Sequence, residues 1–276
     1  MRSFKRIIDF YIQSSIHVAL SAYSLVRMTQ FLFHIPEDKA VAYFAFFGTI
    51  VGYNFVKFGS LAGAKNSPMG KRLKSIILFS FCSFLAVGFY FFQLQKITQI
   101  VSIAFLGLTL LYTLPFFPNR KNARNWAGVK IYIVALCWVG VTLVLPVLNA
   151  EISITSYFYL NCVQRFMLIF VLILIFEIID LKNDDPYLQT VPQKIGVKQT
   201  KILGMLLLIL YCCLEVFNNK HNSNIKFQYL VFSLPLIFAI VIAVFLLFAN
   251  EKRSKYYTSF WVESIPILWW LMLLIF

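Results

Sequence analysis

The chain is poor in acid. Only eleven of its 276 residues are Asp or Glu, against twenty-five Lys and Arg, and charged residues of both signs make up 13%. A water-soluble domain carries about 25% charged residues, so a soluble globule is excluded. Cysteine is scarce and unpatterned. The five, Cys82, Cys137, Cys162, Cys212 and Cys213, all lie inside apolar runs, and their odd number and spacing fit neither a metal site nor a disulfide framework. There is no low-complexity tail, no short repeat and no polar stretch long enough for a soluble appendage. The basic excess forms no arginine–aromatic stripe or tail but is scattered over short loops, which excludes nucleic acid as the partner.

What is present is apolar surface. The composition is 60% hydrophobic and 18% aromatic, with a mean hydropathy of +0.78. Apolar runs of about twenty residues recur along the chain, the length that crosses a bilayer as a helix. The chain therefore reads as an all-α, multi-pass integral membrane protein in contact with membrane lipid, in the inner or plasma membrane if the source is bacterial. Nine spans are expected, near 11–33, 38–58, 75–93, 97–115, 128–147, 157–178, 201–217, 228–248 and 258–276, forming one domain over 1–276. Breaks at Pro36, Pro68, Pro115, Pro146, Pro186, Pro192 and the NNKHNSN stretch from Asn218 separate several of them.

The loop charges orient this count. Arg2, Lys5 and Arg6, then Lys65, Lys71, Arg72 and Lys74, then Arg120, Lys121, Arg124 and Lys130 fall on one side. Lys182, Lys194, Lys198, Lys201, Lys252, Arg253 and Lys255 join them, and the other side holds only Lys39, Lys96, Lys220 and Lys226. Basic loops stay cytoplasmic, so the N-terminus is expected inside and the C-terminus outside. The first apolar stretch follows basic residues as a signal peptide would. It contains Gln13, His17 and Arg27 and lacks a small-residue cleavage site, and so reads as a retained helix.

Polar groups inside the spans are the candidates for chemistry. Arg27 and Arg165 are costly there and are expected to face a partner or a wet cavity, with snorkelling to the interface as the other reading for Arg165. Asn54 and Tyr112 need hydrogen-bond partners, which a ligand or a neighbouring helix supplies; Tyr53, Gln13 and His17 are of the same type, and His17 reads best as an interhelical hydrogen bond.

Four of the eleven acids, Glu177, Asp180, Asp184 and Asp185, gather in FEIIDLKNDDPYLQTVPQKIG. As a helix end, Glu177, Asp180 and Asp184 share one face, with the two aspartates one turn apart. Like charges so placed repel, and they sit at the negative end of the helix dipole. A cation relieves both penalties, and oxygen ligands on short stems suit Mg²⁺ shared with a phosphate. The bland alternative is a solvated helix end balancing Lys182, Lys194 and Lys198. Asp185 reads as a helix stop before Pro186.

The pattern Asp180-x-x-x-Asp184 followed by Thr190, Pro192 and Gly196, at the cytoplasmic end of the sixth span, resembles the second aspartate-rich motif of the UbiA-type intramembrane prenyltransferases. LYTLP from Leu111 to Pro115, the basic loop after it and the span count resemble the family too. The resemblance implies a nine-helix bundle around a central cavity that opens on the cytoplasmic side. It also implies Mg²⁺ and the diphosphate of a polyprenyl donor held by Asp180 and Asp184, and transfer of the prenyl group to a small aromatic acceptor. Substrate contacts are implied for Asn54, Lys57, Tyr112, Arg120, Lys121, Arg124 and Lys130. The first aspartate-rich motif of that family should begin at Asn54, yet the positions four and eight further on are Phe58 and Ala62. Lys57 stands beside the lost carboxylate, either as a direct phosphate partner or as an ordinary basic residue at a cytoplasmic helix end. Alongside the enzyme stand a catalytically inactive relative that binds an isoprenoid or a partner protein, and a transporter.

Overall fold

The computed structural model describes residues 2–62, 70–113, 128–184, 188–218 and 225–275, the side chains of 2–5, 59–62, 218 and 225–232 excepted. All regular structure among them is helical: α1 Arg2–Gln13, α2 Ile16–Leu32, α3 Lys39–Ala62, α4 Lys71–Phe91 and α5 Lys96–Thr113. There follow α6 Lys130–Val139, α7 Leu145–Asn149, α8 Ser156–Asp180, α9 Val191–Asn218, α10 Ile225–Phe248 and α11 Ile265–Ile275. Two π-helical segments are spliced in. Gly140–Val144 joins α6 to α7, and Tyr257–Val262 leads into α11. In lipid each backbone N–H and C=O has to find its partner within the protein, and a helix satisfies them within one segment.

Seven helices among the described residues are long and apolar enough to cross a membrane: Lys39–Phe58, Lys71–Phe91, Lys96–Thr113, Lys130–Asn149, Ser156–Asp180, Val191–Phe217 and Tyr257–Ile275. The two remaining expected spans coincide with α2 and α10. The protein is an integral, multi-pass membrane protein.

Helix α8 is the axis of the bundle. Leu168, Ile169, Val171, Leu172, Ile175, Ile178 and Ile179 are all buried, and they pack in one core with Leu25 and Met28 of α2, Ala135 of α6, Leu208 of α9, Ile242 and Leu246 of α10, and Trp269 of α11. The α9–α10 approach is close because Gly204 has no side chain: a Cβ there would stand 2.5 Å from Leu246. By contrast α4 packs chiefly on α3 and turns Leu78, Phe81, Phe84, Leu85 and Phe89 outward, a face suited to lipid chains.

Three departures from the expected spans have local causes. The first expected span splits at Ser14–Ser15, where Ser15 takes φ 63°. Before the split, α1 carries Ile7, Ile8, Tyr11 and Ile12 on one face and Arg6, Asp9 and Gln13 on the other, an amphipathic pattern rather than a spanning one. The seventh span begins at Val191 rather than near 201, because Thr190 N–H donates to Gln193 Oε1 (2.9 Å) and so starts a helical turn early. That turn is then interrupted at Gly196, whose φ 78° and ψ 158° belong to a region that essentially only glycine occupies.

Gly196→Ala is expected to destabilise the protein by about 1–3 kcal/mol through backbone strain alone, since no atom lies within 4 Å of the added Cβ. Gly48→Ala, equally unobstructed but inside α3, is expected to be neutral or stabilising by up to about 1 kcal/mol. Thermal unfolding in detergent separates the two. Equal Tm values would remove the conformational role given to Gly196.

Candidate active site

Two polar clusters mark the ends of α3 and α8 that the sequence singles out. At the end of α8, Asp184 N–H donates to the Asp180 carbonyl (2.9 Å), so the helical turn is carried past Asp180 and the two carboxyl groups stay one turn apart. Both side chains are half-buried. Lys130, at the first position of α6, brings Nζ to 3.9 Å from Asp184 Oδ2. That distance is within ion-pair range but too long for a hydrogen bond, and Asp184 Oδ2 is buried without any hydrogen-bond partner among the described residues. Thr190 Oγ1, six residues on, is buried and unpartnered in the same way. Asp180 stands in the field of Asp184, Lys130 and Lys255.

Glu177 stands in the field of Lys130 and Asp184 as well, but it is engaged by the next helix. Its Oε2 accepts the Val191 N–H (3.1 Å), so the buried carboxylate ties the start of α9 back to α8. A carboxylate at a helix N-terminus meets the positive end of the dipole and an orphan N–H together, which explains a buried Glu without a metal. Among the described residues no group of three or more His, Cys, Asp or Glu is arranged to hold a metal ion. What the site offers is a pair of carboxylates.

The second cluster surrounds the inner end of α3. Asn54 is buried and its amide is saturated: Oδ1 accepts from Ser15 Oγ (2.8 Å), and Nδ2 donates to the Ser14 carbonyl (3.0 Å) and to Ser80 Oγ (2.8 Å). It thereby pins the α1–α2 break to α3 and α4. Lys57 Nζ donates to Ser15 Oγ (2.9 Å) and lies 5.8 Å from the centre of the Tyr53 ring. The acid whose field reaches Lys57 is Glu263 of the segment before α11. Tyr53 accepts the Trp138 indole N–H (3.0 Å), and Tyr112 is buried within reach of Tyr53. His17 Nε2 donates to the Phe260 carbonyl (2.8 Å), which leaves Nδ1 to accept the Tyr11 hydroxyl (2.8 Å). It is an interhelical hydrogen-bonding residue.

Of the residues singled out in the sequence, the structure brings Lys130 to Asp184 and groups Lys57 with Asn54 around Ser15. Arg120, Lys121, Arg124 and Asp185 lie outside the described residues. Arg27 is paired to Glu37 (2.9 Å). Arg165 does not snorkel: it is 7% exposed and donates to the Leu25 carbonyl, Thr142 Oγ1 and Thr29 Oγ1 at 3.2–3.3 Å. Two charged residues escaped the sequence reading. Lys255 carried only the positive-inside signal that every basic loop residue carries, and Glu263 sits in a run that reads as ordinary span.

No protein-family model matches the chain, and no curated protein matches it. Solved structures do. The chain is similar to the apo structure of a UbiA homologue from Aeropyrum pernix K1 at 12% identity, with a TM-score of 0.64 over 94% of this chain and 98% of that one. It is similar to a UbiA homologue from Archaeoglobus fulgidus bound to Cd²⁺ at 10% identity, with a TM-score of 0.57 over 96% of this chain and 94% of that one. It is similar also to a structure bearing on digeranylgeranylglyceryl phosphate synthase at 13% identity, with a TM-score of 0.57 over 97% and 98% of the two chains. The fold is therefore the UbiA fold along nearly its whole length. At such identities the likeness extends to the fold alone.

Asn54→Ala removes the side-chain donor to the Ser14 carbonyl and the acceptor of the Ser15 hydroxyl, while Ser80 keeps its bond to the Ile76 carbonyl, and is expected to cost about 1–3 kcal/mol of stability. The measurement is thermal unfolding of detergent-purified protein. A Tm equal to wild type would show that the amide is free to serve a ligand instead.

Proposed function

We propose that the protein is a UbiA-type membrane prenyltransferase that moves a polyprenyl group from its diphosphate to a small aromatic acceptor with Mg²⁺. The observation that carries this reading is the Asp180–Asp184 pair, one turn apart, with a buried Asp184 oxygen lacking any hydrogen-bond partner and Lys130 held 3.9 Å away. A buried carboxylate oxygen without a partner is costly and persists where a ligand satisfies it. The donor set fits the metal: Mg²⁺ takes one or two carboxylates and completes its shell with water and substrate phosphate. Asp180 and Asp184 would hold it, and it would supply positive charge to a bound diphosphate.

The protein's own groups complete the arrangement. Lys130 places an ammonium beside the same carboxylates, suited to a phosphate oxygen. Lys255 adds a second positive field from the loop before Tyr257. Lys57 stands one residue before Phe58, the position at which the family resemblance expects a carboxylate, and offers an ammonium to the donor's diphosphate in place of a second metal. The UbiA fold of the neighbouring structures supports this reading, as does the aromatic cluster of Tyr53, Tyr112 and Trp138 beside Lys57. An allylic cation is stabilised by such aromatic faces.

A second reading has one observation in its favour. With Phe58 in place of a carboxylate and the Asn54 amide saturated by Ser14, Ser15 and Ser80, the α3 wall offers no metal ligand, as expected of an inactive relative that only binds an isoprenoid. Orientation with the N-terminus cytoplasmic, which follows from the basic loops, puts the aspartate pair on the cytoplasmic side in either case.

Protein reconstituted in nanodiscs with a polyprenyl diphosphate is expected to release pyrophosphate only with Mg²⁺. Asp180→Asn and Asp184→Asn are each expected to lower that rate at least about 100-fold, and Lys130→Gln to raise the donor KM about tenfold, a change of about 1.4 kcal/mol. Absence of Mg²⁺-dependent release from wild type across allylic donors, with the isoprenoid still bound, selects the inactive relative. Full activity in both aspartate variants would overturn the assigned roles.

A further inference from the structure

Two cations converge on the end of α10. Lys201 Nζ of α9 donates to the Leu247 carbonyl (2.7 Å), and Arg253 Nε donates to the next carbonyl, that of Phe248 (3.2 Å). The Arg253 guanidinium also lies 5.3 Å from the centre of the Tyr257 ring, and the Tyr257 hydroxyl is tied to the Phe245 carbonyl (2.7 Å). Backbone oxygens and an aromatic ring hold the two cations side by side, and no carboxylate takes part.

The helix end answers only part of this charge. A helix C-terminus carries roughly half a negative charge, against two whole positive ones. Lys198 and Lys252 are exposed in the same stretches of chain and add to the excess. The acid of this loop, Glu251, is paired with Lys182 (3.5 Å). Among the described residues Arg253 Nη1 and Nη2 bond to nothing, and Lys201 Nζ makes no other hydrogen bond. The guanidinium therefore keeps open the edge that suits a phosphate.

The depth is that of a headgroup. α10 ends at Phe248, and every residue from 250 to 255 is exposed, so the spanning segment gives way to water here. The Lys182–Glu251 pair ties this loop to the end of α8 that carries Asp180 and Asp184. From this point into the membrane, the outward faces of the two packed helices are apolar. Ile202, Leu206 and Ile209 of α9 and Ile240, Val244 and Leu247 of α10 are exposed at i, i+4, i+7 spacing, one continuous face on each helix.

We infer that this surface binds an anionic phospholipid, its phosphate between Lys201 and Arg253 and its acyl chains along the outward faces of α9 and α10. A choline or ethanolamine headgroup returns a positive charge to a place already in excess of it. A glycerol headgroup does not, and keeps the net negative charge of the phosphate. The site therefore selects by charge, and it is independent of the chemistry assigned to Asp180 and Asp184.

The test is native mass spectrometry of the full-length protein released from nanodiscs of equal choline and glycerol phospholipid. Wild type is expected to retain glycerol phospholipid with about a tenfold preference. Lys201→Gln with Arg253→Gln is expected to abolish the preference, and Lys201→Arg with Arg253→Lys, which keeps both charges, to preserve it. Lys71→Gln with Lys74→Gln removes two exposed cations from the start of α4 and is expected to leave it unchanged. Should the first pair fail to fold, Arg253→Gln alone decides, with the preference expected to fall at least about threefold. Equal retention of the two lipids by wild type, or an undiminished preference without Lys201 and Arg253, overturns the inference. An equal loss in the Lys71 and Lys74 variant would assign the preference to the summed field of all basic loops and overturn the site. Displacement of the lipid by millimolar inorganic phosphate would make this a site for a free anion and overturn the lipid assignment.

Discussion

Burial of α8 along almost its whole length is the constraint from which the other positions follow. Two-thirds of its spanning residues (67%) are inside the protein, against 11% for α4. From Gln164 to Asp180 no residue of the helix is exposed, so any ionisable residue on that stretch has to be satisfied within the bundle. The apolar stretch from Leu168 to Ile175 packs against α2, α6, α9, α10 and α11. Polar groups are thereby confined to its two ends, Gln164 and Arg165 at one and Glu177, Asp180 and Asp184 at the other.

Each end is then built by a neighbouring backbone irregularity. At one end, the π-helical turn Gly140–Val144 is admitted close to α5 because Gly140 carries no Cβ where the Phe105 ring sits 2.1 Å from the position it would take. That turn aims the Thr142 carbonyl at Thr29 (2.7 Å) and its hydroxyl at Arg165 (3.2 Å), so a buried guanidinium finds oxygen contacts from two helices. At the other end, Glu177 caps Val191 and Gly196 breaks the following helix. Irregular backbone at membrane depth is tolerated where it lines a protein interior, and here it occurs at both polar ends.

The α3 side shows how a lost motif is absorbed. Asn54 remains, but its amide is consumed by Ser14, Ser15 and Ser80, and Lys57 shares the same Ser15 hydroxyl. These bonds join α1–α2, α3 and α4 into one wall. They turn the Asn54 half of what the sequence presents as a ligand site into a structural joint, with Lys57, in the field of Glu263, at its edge.

The sequence by itself determined the membrane class, the helical architecture and the aspartate pair, because each rests on local pattern. Twenty-residue apolar runs, i to i+4 spacing and scattered loop charges are readable without knowing which helices touch. It also marked Lys130, though only as one of several basic residues beside the site. Only the tertiary structure decided that Lys130 lies beside Asp184, that Glu177 caps a helix, that Lys57 stands in the field of Glu263, and that Arg165 is held by oxygens of α2 and the π-helical turn. Those facts depend on contacts between residues 14 to 206 positions apart. The bilayer penalty that forces such groups to find partners is visible in the sequence, whereas the partner is chosen by packing.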